Sequence, residues 1–275
     1  MRKQTVVILM LLAGCFLFTS VEAQDFSQGT IKTNYEVLNA NKKTDDFDKQ
    51  IESVVKLFSA LVGSGFVNTA SLHSIGGLDV GLRAVIAGIP DEFKDIVPDK
   101  DFPTVTDPLS GQSTVPLPFL HASLGLPANF EIMGKFITFA IADKPNSNVT
   151  LLGGAVKYGL VRGNAAIPAI TLLGGYQTVL VPDDYAFGNV STFSLKGYIS
   201  KGFMLATVYA GGGIDRTHLK LDIPDFPDLN KDYNVTYPSG TIGVAITPFP
   251  LVTVNADYNF GELKNIAVGI GVSIR

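Results

Sequence analysis

Few residues of this chain have the type and spacing to carry chemistry. His121 and Ser123 stand two apart in an alternating segment, so both point to one face of a strand. A histidine that removes a serine proton creates a nucleophile, provided a third group orients the imidazole. Asn129, beyond a turn at Pro127, is the candidate orienting group. Leu120, Ala122, Leu124 and Leu126 form the opposite, apolar face. If that face meets lipid, His121 and Ser123 lie inside, away from any lipid substrate. Two polar interior residues are then the stronger reading, and a lipase the weaker one. His73 and His218 are isolated, and there is no metal-ligand spacing and no phosphate-cradling loop. Gly63-Ser64-Gly65 lacks the frame of a nucleophile elbow. Asp222, Asp225, Asp228, Asn230 and Asp232 could offer oxygen ligands. They lack the glycine and closing glutamate of a calcium loop and read as a solvated segment. The expectation is no enzyme, no metal and no cofactor.

A second group of residues is positional. Arg83, Glu131, Lys135, Lys157, Lys196, Asn255 and Asp257 all fall opposite an apolar face in alternating segments. Their mixed sign suggests mutual pairing in a narrow interior, because unpaired buried charge is costly.

The elements that place them are strands. In 250–275, Val252, Val254, Ala256, Tyr258 and Phe260 alternate with mostly polar residues. Ile266, Val268, Ile270, Val272 and Ile274 then alternate with Ala267, Gly269, Gly271, Ser273 and Arg275. Each strand is apolar on one side and polar or small on the other. A soluble sandwich buries the apolar side, whereas a membrane barrel turns it to lipid and the polar side to the lumen. Eleven segments show this period: 78–88, 119–126, 130–141, 149–161, 168–179, 190–200, 203–213, 216–222, 239–247, 250–260 and 265–275. Bacterial barrels are even-numbered, so about 10–12 strands are expected. Thr247-Pro248-Phe249 and Gly213-Ile214-Asp215 read as tight turns, and 90–117 and 223–238 as long loops. With that count the two long loops fall on opposite sides of the membrane.

The N-terminus selects between the two solvents. Arg2 and Lys3, an apolar run over 5–20 and Val21-Glu22-Ala23 make a secretory signal peptide. Leu12-Ala13-Gly14-Cys15 offers an alternative, lipoprotein processing at Cys15. Cleavage after Ala23 leaves 252 of the 275 residues and no cysteine. It lowers the basic count from 21 to 19 and the acidic count from 25 to 24, a net charge of −5. That balance argues against nucleic-acid binding. Charged residues make up only 17% of the chain, yet no stretch beyond the signal reads as a membrane helix. The charge-free stretches 163–182 and 233–256 are broken by Pro168, Pro238 and Pro248. An exported apolar chain of this kind crosses a bilayer as a closed barrel.

One segment has a different period. Phe47, Ile51, Val54, Phe58 and Leu61 repeat at three and four, which predicts an amphipathic helix over 47–62 ending at Gly63-Ser64-Gly65. It either caps a barrel end or enters the lumen as a plug. The expected organisation is a signal peptide over 1–23, an arm and helix over 24–65, and a barrel over 66–275.

Several segments resemble a family of uncharacterised bacterial outer-membrane barrels. They are Pro116-Leu117-Pro118-Phe119, Ala122 to Pro127, Phe130 to Phe136, Leu152 to Leu160, Thr207 to Gly213, and the close Gly269 to Arg275. The match spans about 116–275. That family is in turn similar to the FadL-type carriers of hydrophobic compounds, whose lumen holds an N-terminal hatch. The resemblance implies passive passage of a small hydrophobic compound, with 47–62 as the hatch. The chain departs from FadL-type barrels in being shorter and in ending on Arg275 rather than an aromatic residue. Expected partners are outer-membrane lipid, the barrel assembly machinery and a small solute. A structural barrel that docks envelope partners through its long loops is the alternative.

Overall fold

The computed structural model describes residues 44–89, 113–140, 148–180, 188–221 and 230–274. The expected signal peptide with Cys15, residues 24–43 of the expected arm, and residues 222–229 of the acidic segment lie outside the described residues. One helix, α1 (Thr44–Gly63), precedes ten strands. They are β1 (Leu78–Gly88), β2 (Thr114–Leu126), β3 (Phe130–Ala140), β4 (Asn148–Val161), β5 (Ala169–Leu180), β6 (Gly188–Phe203), β7 (Ala206–Leu221), β8 (Lys231–Phe249), β9 (Val252–Phe260) and β10 (Asn265–Ile274). Each strand pairs antiparallel with its neighbours in sequence, and β1 pairs with β10 to close the barrel. Closure leaves no open sheet edge, which a bilayer requires.

Burial is inverted relative to a soluble protein. Val254 and Val268 are exposed, at 38% and 40%, whereas Asp257 is 4% exposed. Leu120, Leu152, Leu195, Ile199 and Ile242 also point outward, while Arg83, Glu131, Lys135 and Lys157 are buried. An apolar belt running round every strand exceeds any patch that a soluble monomer exposes. Its solvent is lipid, and the fold is a closed transmembrane β-barrel.

Three expectations need correction. The segments 203–213 and 216–222 are one strand, β7, so the strands number ten. Gly213-Ile214-Asp215 is not a turn: Gly213 pairs with Lys196 on one side and Ser239 on the other. A Cβ on Gly213 would sit 2.1 Å from the Leu195 carbonyl oxygen, so glycine there serves close strand approach. Second, β8 begins at Lys231, and only the first part of 223–238 is a connection. Third, the β8–β9 turn lies at Pro250-Leu251, with Leu251 at φ 71°. Pro248 falls where the β8–β9 register shifts, between Ile246 and Phe249. A residue without an N–H is tolerated at such an irregularity.

With ten strands the connections sort by length. One end of the barrel carries the start of β1, the end of β10 and the connections 127–129, 162–168, 204–205 and 250–251; it is called the turn end here. The other, the loop end, carries 89–113, 141–147, 181–187, 222–230 and the short 261–264. The segment over 90–113 therefore joins 222–230 at the loop end rather than opposing it. Short turns on one side and long loops on the other match outer-membrane barrels, whose long loops face outward.

Candidate functional site

The candidate site is the lumen. α1 lies inside the barrel, and the chain continues through the lumen to His73 before β1 begins. Gly63 to Ala70 are all buried. The amphipathic pattern sets how the helix sits. Leu57, Leu61 and Val62 pack on Val85, Ala87, Phe119, Leu151, Val179 and Ala267, with Phe58 against the same cluster. These wall residues lie in the loop-end half of their strands. The side chains of Phe47, Ile51 and Val54 lie outside the described residues. On the other flank Lys56 pairs with Glu262 at 3.2 Å and with Glu52 at 3.3 Å.

The end of α1 shows what the lumen cations do. A helix leaves its last carbonyls unpaired, and α1 has no basic residue in its last turn to meet them. The barrel wall supplies the donors. Lys135 Nζ donates to the carbonyls of Val62 at 2.6 Å and Ser64 at 2.9 Å, and Lys196 Nζ to that of Gly63 at 2.9 Å. Asn265 Nδ2 donates to the Ala60 carbonyl at 3.1 Å. Arg83 Nη1 reaches the carbonyls of Gly65 and Phe66, both at 2.8 Å. Lys157 Nζ reaches those of Thr69 and Ser71, both at 3.3 Å. Lys135 Nζ also lies 4.0 Å from the Phe66 ring centroid, a cation–π contact. Gly65 (φ 78°) turns the chain out of the helix beneath Phe119, where a Cβ would come within 2.8 Å of the ring. Non-helical backbone is tolerated at membrane depth when such donors satisfy it.

The acids complete the network. Lys196 pairs with Asp215 at 2.8 Å, and Asp215 also accepts from Ser239 at 2.6 Å. Lys157 pairs with Glu131 at 3.0 Å, and Arg83 with Asp79 at 3.7 Å. Asp257 accepts from Tyr209 at 2.8 Å and from Asn259 at 2.7 Å, and Asn259 donates in turn to Asn265 at 2.9 Å. Asn255 is buried, with its Oδ1 over Gly269. At the turn end Glu131 accepts from the His73 backbone N–H at 2.9 Å and lies 3.1 Å from His73 Nδ1. His73 Nε2 stands 3.1 Å from Ser273 Oγ. His73 thus latches the lumen segment to both β3 and β10.

All seven residues expected to line the lumen are buried in its interior. Pairing among the cations and acids is present, but the wall cations also hold the inserted backbone, which the alternation does not reveal. Asp79, Asp215, His73, Asn259 and Asn265 are site residues that the sequence reading missed. Asp215 was masked by the false turn, and His73 by its place between elements. The missing basic residue in the last turn of α1 is the signal that could have pointed to donors on the wall.

The serine arrangement, the weaker of the two readings, does not form: Asn129 does not orient His121. His121 and Ser123 are buried in the lumen, and neither imidazole nitrogen of His121 has a hydrogen-bond partner among the described residues. Its near neighbour is Asp79, at 3.4 Å from Nδ1. Asn129 instead accepts from Arg162 at 2.7 Å. Among the described residues no group of three histidine, cysteine, aspartate or glutamate side chains could hold a metal.

Residues 99–274 match a family of unknown function, DUF6588. The chain belongs to that family. No curated protein matches it in sequence. Solved barrels are similar at low identity. The N-terminal barrel of Pseudomonas aeruginosa OprF is 10% identical, covering 74% of this chain and 100% of its own, at a TM-score of 0.33. The translocator domain of autotransporter NalP from Neisseria meningitidis is 11% identical, covering 85% and 98%, at 0.37. The Ralstonia pickettii toluene transporter TbuX is 10% identical, covering 80% and 97%, at 0.30. Likeness of this degree carries nothing about solute or partner.

Proposed function

We propose that this DUF6588 protein is a plugged outer-membrane passage for small hydrophobic compounds, closed by the segment 44–73. The observation that carries the reading is the apolar lumen wall under α1. Val85, Ala87, Phe119, Leu151, Val179 and Ala267 form an inward-facing apolar surface in the loop-end half, and the helix covers it. Eight strands enclose little more than their own side chains. Ten admit a helix, and its withdrawal leaves an apolar mouth above a polar lower lumen. The plug is held by hydrogen bonds and packing, which can be released without unpairing the strands. The resemblance to FadL-type carriers, with an N-terminal hatch, supports the same reading. It gives His121 and Ser123 no catalytic role.

The test is to lock the plug. Thr69 Oγ1 and Ser200 Oγ lie 3.2 Å apart across the lumen. In Thr69→Cys/Ser200→Cys, oxidation tethers plug to wall. Vesicles with a lipopolysaccharide outer leaflet, loaded with the protein, should take up a fluorescent medium-chain fatty acid. Uptake should fall to the protein-free level when the pair is oxidised and return on reduction. No uptake above the protein-free level in either state sinks the passage reading. That result would favour a structural barrel docking envelope partners, which the collected long loops and filled lumen also suit.

A further inference from the structure

We infer that the chain threads its own barrel from the loop end to the turn end, so that the residues preceding α1 are presented on the same side as the long loops. The contacts of the inserted segment run in one axial order. Lys56 pairs with Glu262 in the β9–β10 connection, at the loop end. Ala60 meets Asn265, the first residue of β10. Gly63 meets Lys196 in the middle of β6. Thr69 meets Ser200, three residues before the end of β6. His73 meets Ser273, one residue before the end of β10. Each step lies nearer the turn end than the one before.

Helix length then places the start of α1. Thr44 is twelve residues before Lys56, about 18 Å along the helix axis at 1.5 Å per residue. Lys56 already stands level with the β9–β10 connection, so the N-terminal turns of α1 project beyond it. The β7–β8 hairpin reaches past that connection on the same side. Residues 231–239 of β8 continue past the last β9 partner, Phe260 paired with Gly240, and pair with β7 alone. The chain before Thr44 is therefore delivered among the loops, although β1 starts at the opposite mouth. The consequence is functional whether or not the barrel passes solute: the chain enters the lumen at the mouth that carries the long loops, and anything joined ahead of α1 meets that mouth.

Cysteine labelling tests the threading. Three single variants are made in a Cys15→Ser background: Asn41→Cys before the plug, Lys264→Cys as a loop-end marker and Met204→Cys as a turn-end marker. Lys264 and Met204 are both exposed. A membrane-impermeant maleimide is applied to intact cells and to cells with a permeabilised outer membrane. Asn41→Cys is expected to label in intact cells to within about twofold of Lys264→Cys, while Met204→Cys labels only after permeabilisation. If Asn41→Cys follows Met204→Cys instead, the threading is overturned. Should the cysteine label in neither state, an epitope inserted between Gln28 and Gly29 decides. Antibody binding to intact cells supports the inference. Binding only after permeabilisation, or only to denatured protein, overturns it. Lys264→Cys and Met204→Cys establish in the same experiment that the loop end faces outward, and the test is independent of the uptake result.

Discussion

At the residue scale the lumen is a set of wall donors serving a backbone that cannot serve itself. Lys135 is the clearest case. It is 2% exposed, and two carbonyls at the end of α1 accept from it. Lys135→Met keeps the bulk and removes both bonds, leaving two buried acceptors unsatisfied at about 1–3 kcal/mol each. The expected loss is about 2–6 kcal/mol of plug docking, with Lys135→Arg losing less. Limited proteolysis of the purified protein should then cut within 44–73 while the strands stay intact. If Lys135→Met is cleaved no faster than wild type, the lysine does not hold the plug. The partly exposed Lys56–Glu262 pair is a useful contrast, since ion pairs open to solvent contribute only about 0–1 kcal/mol. Lys56→Ala should leave the cleavage rate nearly unchanged.

At the element scale α1 and the wall are separable. The wall closes through the β1–β10 ladder, Leu78 with Ile274 to Ala87 with Asn265, and no ladder partner comes from the plug. Deletion of 44–70 should therefore leave a barrel that migrates as folded on unheated gels. In the vesicle assay it should take up the fatty acid probe without any reducing step. A deleted chain that folds and still excludes the probe would show that the lumen is closed by more than the plug. The helix was legible in the sequence as a three-and-four repeat, and its bounds differ from expectation by one to three residues. Its place inside the barrel was not legible, because an apolar stripe suits a rim as well as a lumen wall. β7 was misread because Gly213-Ile214-Asp215, at the end of a glycine run, has a turn's composition. Here the glycines instead let strands approach and let rings lie flat. A Cβ on Gly211 would meet the Tyr198 ring at 2.3 Å, and one on Gly243 the Tyr209 ring at the same distance.

At the scale of the whole molecule the solvent decides the fold. The outward apolar belt has meaning only against hydrocarbon, and the buried charges only inside a closed wall. Val268 faces outward in β10, beside the inward Ala267. Val268→Arg should cost up to about 2–4 kcal/mol, the range for a cation facing lipid near the bilayer midplane. Ser273→Ala, on the inward face of the same strand, should cost about 1 kcal/mol, one hydrogen bond. Equilibrium folding into lipid vesicles in urea measures both, and equal costs would contradict the face assignment.

What the sequence determined by itself is periodic. A repeat of two names strands and sorts their residues onto two faces, and a repeat of three and four names a helix. With the scarcity of charge and the signal peptide read from the N-terminus as an expectation, the repeat of two also points to lipid as the outer solvent. These are local properties, carried by residues a few positions apart. Tertiary structure alone decided what depends on residues far apart in the chain. It merged two segments into β7 and so brought every long loop to one end. It seated α1 within the wall and joined Lys135, Lys196 and Arg83 to the backbone of residues 62–66. The physical reason is that a backbone carbonyl carries no sequence label. Every residue has one, and only the closed barrel shows which of them are left at the end of a helix within reach of a lysine.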